Sequence, residues 1–169
     1  MRKQDRRASA KPFRGVAFNL SSLGYAVSQG FKTILAPFEL HPREFAVLRA
    51  VGAQEGQSQQ ALGDALQIPR SRMVSVVDEL ETRGLLERRP NPADRRVREL
   101  YLTEAGRRLV EQAFGEAVAY EQLVTAPLTV ADREHLLDLL ERIATHLGIG
   151  HGAHPALREP RGDEGSTVD

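Results

Sequence analysis

The stretch Pro69-Arg70-Ser71-Arg72-Met73-Val74-Ser75-Val76-Val77-Asp78-Glu79-Leu80-Glu81-Thr82-Arg83-Gly84 splits into two faces when wound at about 3.6 residues per turn. Met73, Val76, Val77 and Leu80 make one face apolar, while Arg70, Ser71, Arg72 and Ser75 stand on the other. Ile68-Pro69 breaks the chain ahead of it. Gly84 is the expected C′ residue, where a left-handed backbone ends a helix. The spacing predicts a helix from about Pro69 to Thr82, one side buried and the other open.

After Gly84 the period shortens. Leu85-Leu86-Glu87-Arg88-Arg89 reads as a short strand and Pro90-Asn91-Pro92-Ala93-Asp94 as a turn. Val97 to Leu102 reads as the return strand, with Val97, Glu99 and Tyr101 alternating against Arg98, Leu100 and Leu102. Such a hairpin is marginal alone and must lean on helices. Upstream, Ser58 is a good N-cap for a short helix burying Leu62 and Leu66. Before that, His41-Pro42 opens a helix striped by Phe45, Leu48 and Val51, with proline where its missing N–H costs nothing, and Gly52 and Gly56 mark its exit. Leu20, Leu23, Val27, Phe31, Ile34 and Phe38 step by three and four on a first helix that Pro37 bends or ends. Beyond the hairpin, Thr103 caps a helix carrying Leu109, Val110, Ala113, Ala117, Tyr120 and Val124 on one face. Pro127 interrupts, and Thr129 caps a last helix with Leu136, Leu140, Ile143 and Leu147.

Helix, helix, short helix, helix, hairpin is the order of a winged helix-turn-helix. The expected fold is mainly α, with a two-stranded wing and dimerisation helices at the N- and C-terminal ends. Residues 1–14 are expected to be a flexible basic arm and 15–147 the domain. Within it, the winged lobe spans about 40–103 and the dimerisation helices about 16–38 and 104–147. Residues 148–169, rich in Gly, His, Pro and acids, are expected to be a disordered tail. The apolar stripes on the first and the last two helices are more than one small winged domain can cover, and closed two-fold pairing of two copies would bury them.

The totals agree with an intracellular binding protein. Among 169 residues there is no cysteine, which excludes disulfides, thiolate metal sites and thiol redox sensing. No apolar run approaches the roughly 20 residues a bilayer needs, and no signal peptide is read in the N-terminal stretch. A soluble, cytoplasmic protein with no membrane contact is expected. Formal net charge is 0, from 23 basic and 23 acidic residues. The distribution is uneven. Arg2, Lys3, Arg6, Arg7, Lys11 and Arg14 face a single acid, Asp5, in the arm, and eight arginines lie between residues 69 and 98 among five acids. The local field, not the total, is what phosphate meets.

A major groove admits one α-helix, whose N-terminal residues reach the base edges. Short hydroxyls at Ser71 and Ser75 allow close approach, Arg70 and Arg72 can reach phosphate or guanine, and the helix N-terminus adds its own positive end. A hairpin tip bearing Arg95 and Arg96 can enter the adjacent minor groove, where arginine is attracted to enhanced negative potential.

The run from Pro69 through Gly84-Leu85-Leu86-Glu87-Arg88, then Asp94-Arg95-Arg96, then Leu102-Thr103-Glu104-Ala105-Gly106, resembles the MarR family of bacterial regulators. Phe45-Ala46-Val47-Leu48 after a proline-started helix is similar too, and the resemblance spans about residues 18–147. It implies a homodimer whose first and last two helices interlock, with two recognition helices in successive major grooves of a pseudo-palindromic operator. It also implies that Ser71, Arg72 and Ser75 face bases and phosphates, that Arg95 is the wing arginine of the minor groove, and that Asp94 orients it. Many relatives release DNA when a small phenolic or lipophilic molecule binds between the dimerisation and DNA-binding parts. The expected function is therefore sequence-specific transcriptional regulation, a repressor released by a small aromatic or lipophilic effector.

Other readings stay open at this level. The winged helix could dock an acidic protein partner, or the chain could bind a small molecule without binding an operator. Arg83 and Arg88 read as surface or ion-pair residues, Arg89 is ambiguous, and Asp94 can simply cap its turn. Tyr25, Ser28, Gln29 and Phe45 are candidate ligand contacts, with dimer packing and the core as the alternatives. His151 and His154 form a close pair, but zinc needs about four ligands, so no metal or other cofactor is expected. No phosphate loop, nucleophile elbow or HExxH motif is present, and no enzymatic activity is expected.

Overall fold

The computed structural model describes residues 15–94 and 96–149. The basic arm, Arg95, His151 and His154 lie outside the described residues.

The first helix, α1, spans Val16–Leu35 and tightens into a single 3₁₀ turn over Ala36–Phe38, where Pro37 was expected to bend or end it. Helix α2, Pro42–Ala53, starts at a capping box: the Glu44 carboxylate accepts the His41 N–H at 2.8 Å while the His41 ring accepts from Arg43 N. Helix α3, Gln59–Leu66, is capped by Ser58, whose Oγ accepts the Ala61 N–H at 3.1 Å. Gln67 then turns left-handed, Ile68 N–H returns to the Gly63 carbonyl, and Pro69 caps α4, Arg70–Thr82. Gly84 takes the expected left-handed conformation, φ +68°, and lets Leu85 N–H close back on the Leu80 carbonyl.

The sheet holds one strand more than the hairpin. Gln57–Ser58 (β1), Leu86–Pro90 (β2) and Arg98–Leu102 (β3) form an antiparallel sheet in the order β1-β3-β2. Leu86 pairs with Leu102, Arg88 with Leu100 and Pro90 with Arg98, while β1 adds Gln57 opposite Leu100. The pleat buries Leu86, Leu100 and Leu102 against Leu48, Val51, Leu62, Met73, Val77 and Leu80 of the helices. That shared core removes the instability of an isolated hairpin.

Helix α5, Glu104–Thr125, is capped by Thr103 and packs along α1. The Tyr120 hydroxyl donates to the Val27 carbonyl at 3.1 Å across a gap that Gly30 leaves open. Helix α6, Val130–His146, starts at a Thr129/Asp132 capping box and ends with Gly148 left-handed and Ile149 N–H on the Ala144 carbonyl. Gly148 and Ile149 thus complete the cap of α6. None of the residues of α6 is buried within the chain, and Leu136, Leu137, Leu139, Leu140 and Leu147 are all exposed. Among the described residues, no helix is long and apolar enough to cross a membrane and no group of His, Asp and Glu is arranged to hold a metal ion.

One buried ion pair joins the ends of the lobe. Glu44, only 2% exposed, lies 3.4 Å from the Arg83 guanidinium at the C-cap of α4, and Arg83 also donates to the Phe38 carbonyl. Removing Arg83 leaves a carboxylate in the core with one counterion fewer, a loss far larger than that of a surface pair. Arg83→Ala should cost about 2–3 kcal/mol, at or just below the range for breaking a buried pair because Glu44 keeps the His41 N–H. Urea unfolding checks this, and a midpoint equal to that of the unmodified chain would show the pair to be unimportant.

Candidate nucleic-acid interface

The two faces expected of α4 are the two faces observed. Met73, Val76, Val77 and Leu80 are buried; Arg70, Ser71 and Ser75 are exposed, and Arg72 is half-buried. Ser75 folds its hydroxyl back onto the Ser71 carbonyl at 3.2 Å, which keeps the centre of this face low and polar. Beside it an open groove of about 350 Å³ runs between α4 and the start of α2, lined by Ser71, Arg72, Ser75 and Glu79 on one side and His41 and Arg43 on the other.

Four of the arginines between residues 69 and 98 are tied within the chain. Arg83 is paired as described. Arg88, on β2, donates to Asp78 and Glu81 of α4 and reaches Gln59 of α3 at 3.1 Å. Arg89 pairs with Glu87, its guanidinium 4.3 Å above the Tyr101 ring. Arg72 also has partners within the chain. Arg70, Arg96 and Arg98 are exposed. Arg70 on the open α4 face and Arg96 and Arg98 of the wing are therefore distinct from Arg83, Arg88 and Arg89, which hold the lobe together, while Arg72 lies on the open face and is also tied to it.

The wing turn is built by side chains that accept backbone N–H groups. Asn91 Oδ1 accepts from Ala93 N and Asp94 N at 2.7 and 2.9 Å, and Asp94 Oδ1 accepts from Arg96 N at 3.0 Å. Val97 N–H closes onto the Asp94 carbonyl and Asn91 N–H onto Val97. Asp94 does cap its turn. Below the turn, Glu99 receives the Asn91 side-chain amide on one oxygen and the Tyr101 hydroxyl, at 2.9 Å, on the other. The hydrogen bond to Glu99 pushes the Tyr101 phenol above its ordinary pKa, which keeps it a donor. Glu99, Asn91 and Tyr101 were not singled out from the sequence. The one available signal was the alternation that puts Glu99 and Tyr101 on a single face.

At the other end of the hairpin, Glu55 accepts the Leu102 N–H at 3.0 Å and pairs with Arg107 at 2.8 Å. Its bond to Arg107 holds the Glu55 carboxyl below the usual carboxylate value.

The candidate ligand contacts are not gathered at one cavity. Tyr25 is 70% exposed, Gln29 is exposed and Ser28 half-buried, all on one side of α1. Phe45 sits in the core, edge-on to Phe31 with ring centroids 5.8 Å apart. Neither the groove beside α4 nor a hollow on α6 lined by Leu139, Ile143 and Leu147 includes any of the four.

A MarR-family model matches residues 38–97, from the turn before α2 to the wing. The chain is 32% identical over 131 residues to the HTH-type transcriptional regulator PecS of Dickeya dadantii (strain 3937), which covers 76% of this chain and 79% of PecS. The chain belongs to the MarR family. Its members among the relatives are transcriptional regulators, and the winged lobe with flanking helices described above is their fold. Two solved structures lie near this MarR-family chain. The transcriptional repressor CouR bound to a 23-mer DNA duplex aligns at a TM-score of 0.69 and 34% identity, covering 77% of this chain and 92% of that one. CouR from Rhodococcus jostii RHA1 bound to p-coumaroyl-CoA aligns at 0.67 and 32% identity, covering 78% and 92%.

Proposed function

We propose that this transcriptional regulator works in the cytoplasm as a homodimer on a pseudo-palindromic DNA operator, without catalysis, and that it represses until a small aromatic or lipophilic effector releases it. Helix α4 enters the major groove through Arg70, Ser71, Arg72 and Ser75, while Asp94 and Arg95, with Arg96, serve the wing in the adjacent minor groove. The observation that carries this reading is the division of α4. Its apolar half is locked in the core, and its hydroxyl and arginine half is open to a groove. The similarity to a repressor bound to duplex DNA supports it.

Pairing is supported by large apolar residues that stay exposed within the chain: Leu23 and Val27 on α1, Leu123 and Val124 on α5, and Leu136 and Leu140 on α6. Isolated exposed apolar side chains are normal, but rows of them on three helices from the two ends of the domain favour an interface. On the effector side, Tyr25, Ser28 and Gln29 share one side of α1 and Phe45 packs on Phe31 of the same helix, and we assign these four residues, Tyr25, Ser28, Gln29 and Phe45, to effector binding between the dimerisation and DNA-binding parts. The p-coumaroyl-CoA complex of a similar repressor supports an acyl-aromatic effector class.

Selection of bound sequences from a random duplex pool at near-physiological salt tests the reading. An inverted repeat with half-sites about 10 base pairs apart is expected, bound by a species that sediments as a dimer at micromolar concentration. Uniform weak binding abolished by modest salt, or a monomer at that concentration, would overturn it.

A further inference from the structure

We propose that Glu99 is the positioning residue of the wing: it holds Asn91, and through Asn91 it fixes the turn from which Asp94 and Arg96 project. The inference rests on the assignment of the wing to DNA made above, and it adds a residue that touches no nucleic acid. The path is continuous. Glu99 on β3 takes the Tyr101 hydroxyl on one carboxylate oxygen and the Asn91 amide on the other. Asn91 Oδ1 accepts the N–H groups of Ala93 and Asp94, and Asp94 Oδ1 in turn accepts from Arg96 N. Tyr101 is itself clamped. Arg89 lies over its ring, and Gly56, where a Cβ would come 3.2 Å from the phenol oxygen, leaves it room. The turn is thus hooked to Glu99 near the start of β3, with Asn91 two residues beyond the strand pair Arg89–Glu99, and not left to its own backbone bonds. An exposed arginine loses little entropy on binding only if the backbone under it is already placed, so such a brace raises affinity by preorganisation.

The charge of Glu99 makes the test decisive in sign. An acid close to a DNA-binding surface should weaken binding through its field, so Glu99→Ala would bind more tightly if charge were its only role. The brace predicts the reverse. Glu99→Ala should bind the selected operator about tenfold more weakly, the size of one lost groove contact, with an unchanged thermal midpoint and unchanged salt slope. Glu99→Gln, which keeps an acceptor for Asn91, should bind within about twofold of the unmodified chain. Asn91→Asp provides a second route: it retains the turn bonds to Ala93 and Asp94 but sets a carboxylate against Glu99. It should lose affinity, and pairing it with Glu99→Gln should restore it.

Arg96→Ala separates the two levels of the argument. If Arg96→Ala weakens binding while Glu99→Ala binds as well as or better than the unmodified chain, the positioning role is wrong and the wing assignment stands. If Arg96→Ala is also without effect, the wing assignment itself fails. Should Glu99→Ala not fold, Asn91→Asp and its Glu99→Gln partner decide alone, and failure of the pair to restore affinity overturns the proposal.

Discussion

Ser75→Glu should abolish operator binding and leave the fold intact. Ser75 is exposed in the middle of the open face of α4, its hydroxyl donating to the Ser71 carbonyl at 3.2 Å. Glutamate is a better helix former than serine, so thermal unfolding should be unchanged or slightly later. On DNA the outcome differs sharply, because the new carboxylate would be driven against phosphates and base-edge acceptors. Like-charge juxtaposition of this kind costs several kcal/mol, which corresponds to more than about a hundredfold in affinity. Ser75→Ala removes only the hydroxyl and should lose no more than about tenfold. Fluorescence anisotropy with the selected duplex measures both. Affinity within threefold of the unmodified chain for Ser75→Glu would mean that α4 does not face DNA.

Gly106→Ala should be the most damaging single methyl in the chain. Helix propensity alone argues the other way, since alanine is favoured over glycine by about 1 kcal/mol inside a helix. Packing decides against it. A Cβ at Gly106 would stand 2.0 Å from the Leu85 carbonyl oxygen and 3.0 Å from its carbon, and both are backbone atoms at the start of the wing. Relief would require β2 to move off α5, breaking the bonds from Thr103 N to Leu85 O and from Thr103 Oγ1 to Gly84 O. Overpacking at the upper end of its usual range together with strained hydrogen bonds gives a loss of about 3 kcal/mol or more. For a chain of this size that lowers the midpoint by roughly 6–12 °C. Gly115 on the same helix is the internal control. Within the chain nothing lies within 4 Å of its Cβ position, so Gly115→Ala should stabilise by about 0.5–1 kcal/mol. Calorimetry on both variants checks the contrast; equal midpoints would show that α5 and the wing are not in rigid contact.

The helices were legible because each carries its own period and its own stops. Met73, Val76, Val77 and Leu80 named the inner face of α4, and Thr103, Thr129 and Ser58 named three caps that the structure places as read. Strand β1 was not legible. Two residues cannot show an alternation, and Gln57 and Ser58 become a strand only because Leu100 comes alongside. Arg83 and Arg88 read as surface or ion-pair residues, and the structure makes them ion-pair residues, yet their partners could not be named. Arg88 bonds to Asp78, 10 residues away, and to Gln59, 29 residues away, an arrangement that exists only once the hairpin folds against α3 and α4. Glu44 shows the same limit. On a helix drawn from the sequence it is one acid in a first turn, and its burial depends on Arg83 arriving from another helix. Asn91 and Glu99 are eight residues apart across a turn whose geometry no pattern supplies. The candidate site was thus readable as a list of exposed side chains, whereas what holds them in place was not.

Arg88 and the Glu44–Arg83 pair have a mechanical consequence. Between them they fasten β2 to α3 and α4, and α4 to α2, at Asp78 and Glu81 in the C-terminal half of α4 and at Arg83, its C-cap. The C-terminal end of α4 is thereby tied at once to α2, α3 and β2. A signal reaching the lobe from the α1 side would then move α4, α2 and β2 as one plate. Release of DNA would then be a matter of spacing and angle between two such plates, and a molecule that failed to move them would leave the regulator deaf however tightly it bound.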